Sequence, residues 1–185
     1  MSALADSDVL DTAARLFYQE AINRVGMDRI RDASGVSLKS LYRKFGSKEG
    51  LIAAYLRRRD DRWIEWMVGC INRERTPRAR LLAIFDALDE WFVSDDFAGC
   101  AFIRAYAESE PGSAGQEISR LHKERLAAIV RSEALEFDPK HADEISEQLL
   151  LLIEGAMVRA HVGGELRAAR FARDAADRLV EGPCP

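Results

Sequence analysis

Residues 27–51 read MDRIRDASGVSLKSLYRKFGSKEGL, and this stretch decides the fold. Met27, Ile30, Arg31 and Ser34 fall at helical spacing, and Gly35 suits the left-handed conformation that ends a helix. Ser37 can cap the next helix, Leu38 to Lys44, whose Leu41 points back at a core together with Phe45. Gly46 breaks the pattern. Ser47 caps a further helix, with Glu49 at the favourable end of its dipole. Two short helices joined by Gly-Val-Ser, behind a longer first helix, make the helix-turn-helix pattern.

Outward from this stretch every periodic segment has the helical period. Upstream, Val9, Leu10, Ala13, Ala14, Leu16, Phe17 and Ala21 form one apolar stripe. Downstream, the helix that starts near residue 48 continues to about 73. Thr76-Pro77 is a cap followed by proline at the first helical position, opening a helix to about Val93. A short helix over 100–109 precedes the loop Pro111-Gly-Ser-Ala-Gly115. Helices are then expected over 116–136, over 138–162 (opened by Asp138-Pro139) and over 166–181. No segment alternates with a period of two. The fold class is therefore all-α, about nine helices, with a head over residues 1–50 and a larger helical part over 51–185.

The composition narrows the function. The chain carries 27 Lys+Arg against 31 Asp+Glu in 185 residues, yet from Arg24 to Lys48 seven basic residues meet only Asp28 and Asp32. A confined positive surface on an acidic chain points to an anionic partner. The longest apolar run, Leu149 to Ile153, is far short of the roughly 20 residues that span a bilayer. The acidic start, Met1 to Asp8, lacks the apolar core of a secretory signal. Cys70, Cys100 and Cys184 form an odd set without short spacing, which predicts reduced thiols in a cytoplasmic protein and no zinc site. His122, His141 and His161 have no metal-ligand spacing. The absence of a glycine-rich phosphate loop and of a nucleophile elbow argues against an enzyme, and nothing calls for a cofactor.

The segments VLDTAARLF (9–17) and MDRIRDASGVSLKSLYRKFGSKEGLIAAYL (27–56) resemble the DNA-binding region of the tetracycline-repressor (TetR) family of bacterial transcription regulators. The likeness rests on Leu16-Phe17, Ile30, Ser34-Gly35-Val36-Ser37, Leu41-Tyr42, Phe45, Ser47-Lys48-Glu49 and Leu51. Gly99 to Glu108 also looks like a stretch found in one branch of that family. Ala21 departs from a common glycine, Arg31 from a common small residue and Gly46 from a common proline. The physical reading agrees with the resemblance, because a helix fits the major groove, where each base pair shows its own donor and acceptor pattern. Ser37, Leu38 and Lys39 are placed for base edges. Ser40, Tyr42 and Lys44 are placed for phosphates. Lys48, with the free amides at the start of its helix, forms a second phosphate site. Arg29 and Arg43 add to the same surface. The run Arg57-Arg58-Arg59, followed by Asp60-Asp61, reads as a solvated face laced with ion pairs.

The resemblance implies a dimeric, ligand-responsive regulator, most simply a repressor, which binds an inverted-repeat operator on double-stranded DNA and is released by a small, partly hydrophobic molecule. Candidates for a ligand pocket are Trp63, Trp66, Met67, Cys70, Phe85, Leu88, Trp91, Phe92, Cys100, Phe102, Tyr106 and His161, with Arg104 and Glu108 as further polar anchors. Candidates for a homodimer surface are Leu149, Leu152, Ile153, Ala156 and Ala160 on one helix and Phe171, Ala172, Ala175 and Leu179 on the last. The alternatives are a redox regulator, with Cys100 lowered in pKa at a helix N-terminus, and a helical protein-interaction adaptor.

Overall fold

The computed structural model describes residues 3–95 and 97–181, the side chains from residue 9 onward. Cys184 and the side chains of residues 3–8 lie outside the described set. Nine helices make up the fold among the described residues, which contain no strand. They are α1 (Ala3–Glu20), α2 (Met27–Ser34), α3 (Leu38–Phe45), α4 (Lys48–Ile71), α5 (Pro77–Phe92), α6 (Ala101–Glu108), α7 (Ala114–Phe137), α8 (Ala142–His161) and α9 (Ala168–Leu179). Among the described residues no helix is long and apolar enough to cross a membrane.

The backbone gathers into two compact units. One consists of Met1–Arg62 with Cys100–His122, the other of Trp63–Gly99 with Lys123–Pro185. The division differs from a single cut after residue 50, because α6 and the start of α7, up to His122, join the head. Sequence reading places a boundary where local patterning changes. It does not see a later helix returning to an earlier one.

In the first unit α1 buries Val9, Ala13, Leu16 and Phe17, and α2 adds Ile30. Gly35 ends α2 at φ 70°, donating its N–H to the Arg31 carbonyl. Ser37 Oγ accepts the Ser40 N–H at 3.3 Å, the cap expected for α3. Leu41 is the one residue of α3 that is fully buried. Ser47 Oγ accepts the Gly50 N–H at 3.0 Å and so caps α4. A Cβ on Gly50 would lie 1.9 Å from the Phe45 carbonyl oxygen, so α4 can follow α3 this closely only without a side chain there.

In the second unit Thr76 Oγ1 accepts the Ala79 N–H at 3.3 Å, and Pro77 opens α5 as predicted. Arg80 binds Glu133 through two hydrogen bonds of 2.6 and 2.7 Å, joining α5 to α7 around a nearly buried carboxylate. α9 packs against both α8 and α5. Here the expectation for Asp138-Pro139 fails. That pair does not open a helix; the Asp138 carboxylate accepts the Lys140 N–H at 3.0 Å and meets His141 Nδ1 at 2.7 Å. A side chain folded onto its own following backbone makes a turn, and α8 starts only at Ala142.

Ala21, the departure from a family glycine, has φ 79° at the end of α1. A left-handed non-glycine residue costs roughly 1–2 kcal/mol, of which glycine's larger unfolded-state entropy would return about 0.5–1 kcal/mol. Ala21→Gly is therefore expected to stabilise the protein by about 0.5–1 kcal/mol, a rise in thermal midpoint of about 2 °C. A lower midpoint in calorimetry would show that the strain is not there.

Candidate nucleic-acid interface

The eight residues of α3 span about 12 Å at 1.5 Å each, which matches the width of the major groove. Leu41 faces the core while Lys39, Tyr42 and Arg43 stand three and four positions apart on the outside, all exposed. Tyr42 is 48% exposed, so its ring is not a core aromatic. Leu38 and Ser40 are half-buried, and Ser37 is exposed with its hydroxyl engaged by Ser40. The Lys44 ammonium lies 5.1 Å from the Phe45 ring centroid.

Ion pairing concentrates the positive charge. Arg31 is held by Asp28 at 2.6 Å and by Asp32 at 2.7 Å, and its guanidinium keeps the Asp32 carboxyl below the ordinary carboxylate range. Arg31 therefore serves the head's own surface. Arg29 reaches Glu20 at 3.0 Å. Among the described residues Lys39, Arg43 and Lys48 form no ion pair. Unneutralised charge is thus present on the outer face of α3 and at the first turn of α4, where the helix's leading amides also point.

The basic run on α4 is not the uniform solvated face that its sequence suggests. Arg58 and Arg62 both pair with Asp11 of α1, 47 and 51 positions away in sequence. The Arg59 guanidinium lies 3.7 Å above the Tyr18 ring. Asp60 turns inward and meets His122 Nδ1 at 2.7 Å, with the His122 ring stacked 3.6 Å from Phe102. Burial pushes the neighbouring Tyr55 phenol up to about 12.

The expected pocket residues divide between the units. Trp63, Trp66, Met67, Cys70, Phe85, Leu88, Trp91, Phe92 and His161 belong to the second unit; Cys100, Phe102, Arg104, Tyr106 and Glu108 belong to the first. Met67, Phe85, Leu88 and Phe92 are buried core, and Tyr106 is exposed. In the second unit Trp63 touches Trp66 and Trp91, each at 6.1 Å, and Phe97, absent from the expected set, links Trp91, Phe92 and His161. In the first unit a cleft of about 150 Å³ lies beside Lys48, lined by Ile22, Asn23, Glu49, Ile52 and Glu108 among others. Of the expected pocket residues Glu108 alone lines it. Cys70 and Cys100 are buried free thiols, and burial pushes the Cys70 thiol up, which works against a reactive thiolate.

The expected dimer residues divide as well. Leu149, Ile153, Ala156, Ala160 and Ala172 are buried within the chain by the packing of α8 on α9, so they serve as its core and not as an outer face. Leu152 and Ala175 are half-buried, and Phe171 and Leu179 are exposed. Beside them stand residues that sequence reading passed over: Leu151, Val158, Val162 and Leu166, with Leu151 72% and Val162 78% exposed. Leu151 and Val158 stand two turns apart on α8 and Val162 and Leu166 follow at steps of four just past its end, a helical spacing that is the available signal beside the equally apolar core stripe.

A short basic helix, capped on a glycine turn and seated by one buried leucine, defines a helix-turn-helix DNA-binding protein. Residues 9–55 match the family described as bacterial regulatory proteins, tetR family. The HTH-type transcriptional repressor ComR of Escherichia coli (strain K12) is 30% identical over 171 residues, which cover 85% of this chain and 80% of ComR. A TetR-family transcriptional regulator from Streptomyces coelicolor has a TM-score of 0.82 at 28% identity, over 96% of this chain and 93% of that one. A regulator from Saccharomonospora viridis, solved in complex with choline, shares the fold with a TM-score of 0.78 at 18% identity, over 98% of each chain. The chain belongs to the TetR family of transcriptional regulators, a family that works by binding DNA and not by catalysis.

The Asp11 pair that ties α1 to α4 gives a pH test. The hydrogen bond from Arg58 holds the Asp11 carboxyl below its ordinary 3.8. Its contribution is complete above that value and is lost as pH falls through the depressed one. With Asp11 half exposed, solvent screening keeps the effect under about 1 kcal/mol. Arg58→Met is expected to lower the thermal midpoint at neutral pH and to match the wild type in strong acid. A deficit that persists unchanged in acid would rule out the charge pairing as its source.

Proposed function

We propose that the protein is a homodimeric, ligand-responsive repressor that lays α3 of each copy into the major groove of an inverted-repeat operator. The observation that carries this reading is the outer face of α3, where Lys39, Tyr42 and Arg43 stand exposed opposite buried Leu41. Lys39 and Leu38 read base edges, a donor to guanine and a methyl contact to thymine. Ser40, Tyr42, Arg43 and Lys44 hold phosphates, with Lys48 at the start of α4 and with Arg29 exchanging Glu20 for a phosphate. Ser37 acts through the cap that aims α3.

The proposed dimer surface is the outer ridge of α8 and α9: Leu151, Leu152, Val158, Val162, Phe171 and Leu179. An exposed apolar ridge of this length suits a second copy of the same helix pair, which would close a four-helix bundle. The proposed effector is a small, partly apolar molecule held near Trp63, Trp66, Trp91, Phe97 and His161. Aromatic faces also attract organic cations, and the Saccharomonospora viridis regulator of the same fold holds choline. Release follows from linkage: an effector that prefers a conformation unable to engage both half-sites weakens DNA binding by that preference. α4, one unbroken helix from Lys48 to Ile71, is the mechanical link this reading uses. The site of action is the cytoplasm.

Selection of bound fragments from random duplex DNA tests the reading, with enrichment of an inverted repeat as the expected result. On that duplex Lys48→Ala should weaken binding to all sequences and reduce the salt slope by about 0.9, the share of one phosphate. Lys39→Ala should change the preferred bases instead. If neither substitution alters binding by the folded protein, the assigned roles fall. Val162→Asp with Phe171→Asp should give a monomer in sedimentation. A dimer that survives both changes places the interface elsewhere.

A further inference from the structure

Arg104 and Glu108 stand one turn apart on α6, and both reach the head. Arg104 Nη1 donates to the Tyr18 carbonyl at 2.7 Å. Asn23 donates twice to Glu108, its backbone N–H to Oε2 at 3.0 Å and its Nδ2 to the main-chain carbonyl at 3.1 Å. Tyr18 is among the last four residues of α1, whose carbonyls have no partner within the helix. α1 carries no basic residue in its last turn. The Arg104 guanidinium supplies both the missing donor and a positive charge at the negative end of the dipole. Glu108 meanwhile takes the amide of Asn23, in the turn that leads into α2.

Ala21 lies between these two attachment points, in the left-handed conformation described above. A strained residue persists only where its surroundings over-determine it. Here α6 fixes the chain three residues before Ala21 and two residues after it, while Arg59 covers the Tyr18 ring from α4.

We propose that Arg104 and Glu108 are positioning residues for DNA binding: a two-point clamp by which α6 holds the α1–α2 turn, and through it the seat of α2 and α3, in the geometry that reads DNA. The proposal rests on the reading of α3 as the DNA-contacting helix. α6 is then a working part of the head. Any displacement of α6 frees the end of α1 and lets the strained turn relax, which lowers DNA affinity with no change in the residues that touch DNA.

Two measurements on the full-length chain test the clamp. The first is amide exchange over residues 18–25 without DNA, comparing the wild type with Glu108→Ala and Arg104→Met. The second is affinity for the duplex selected by the wild type, at a temperature where each variant is fully folded by circular dichroism. Loss of a hydrogen bond to a charged group should speed exchange at Asn23 about tenfold and weaken binding about tenfold. Exchange in α8 and α9 should stay unchanged. Glu108→Gln and Arg104→Lys, which keep an acceptor and a donor, should restore both readouts, and Ala21→Gly should recover part of the affinity lost in Glu108→Ala. Should Arg104→Met fail to fold, the two Glu108 variants decide alone. Unchanged exchange at Asn23 in Glu108→Ala, or wild-type affinity in the folded variants, overturns the clamp. A wild type with no preferred duplex refutes the DNA-contact reading instead, and the exchange measurement still judges the clamp.

Discussion

The turn from Gly35 to Ser37 sets the direction in which α3 leaves α2, and the rest of the head depends on that direction. α3 is too short to hold itself: eight residues in water lie below the length at which an isolated helix is stable. Its seat comes from one buried leucine, a serine cap at one end and, at the other, the close approach of α4 that Gly50 permits. Because these supports use the inner face and the ends, the outer face is left for charge. The same economy explains why acidic residues neutralise Arg29 and Arg31 on α2 while, among the described residues, Lys39, Arg43 and Lys48 form no ion pair.

The sequence made the local features legible because their causes are local. Gly35, Ser37, Ser47, Thr76 and Pro77 each act on backbone within four residues, and the structure shows each in the expected role. Asp138-Pro139 has the same composition as a helix start but folds its carboxylate onto Lys140 and His141, a choice between two local hydrogen-bond patterns that composition does not decide. What stayed hidden is what arrives from far along the chain. Asp60 looked solvated beside three arginines, yet it pairs with His122. Arg104 and Glu108 looked like anchors for a ligand, yet they bind Tyr18 and Asn23.

The larger part was legible as helices but not as faces. α8 is apolar on more than one side, and periodicity alone does not say which stripe meets α9 and which meets solvent. Packing assigns Leu149, Ile153, Ala156 and Ala160 to the inside, and with them goes most of the surface that sequence reading had given to a partner. The aromatic residues show the same effect. Their spacing marks them as neighbours of something, and the structure makes several of them neighbours of each other.

The first compact unit is built from two stretches that the ribosome delivers at different times. Residues through Arg62 emerge early, while Cys100–His122 follow only after a further 37 residues of the other unit. Chains usually fold from the N-terminus as they are made, but here the end of α1 waits for its guanidinium. The nascent head therefore passes through a period with its helices formed and its reading geometry unset, and it becomes competent for duplex only once most of the protein exists.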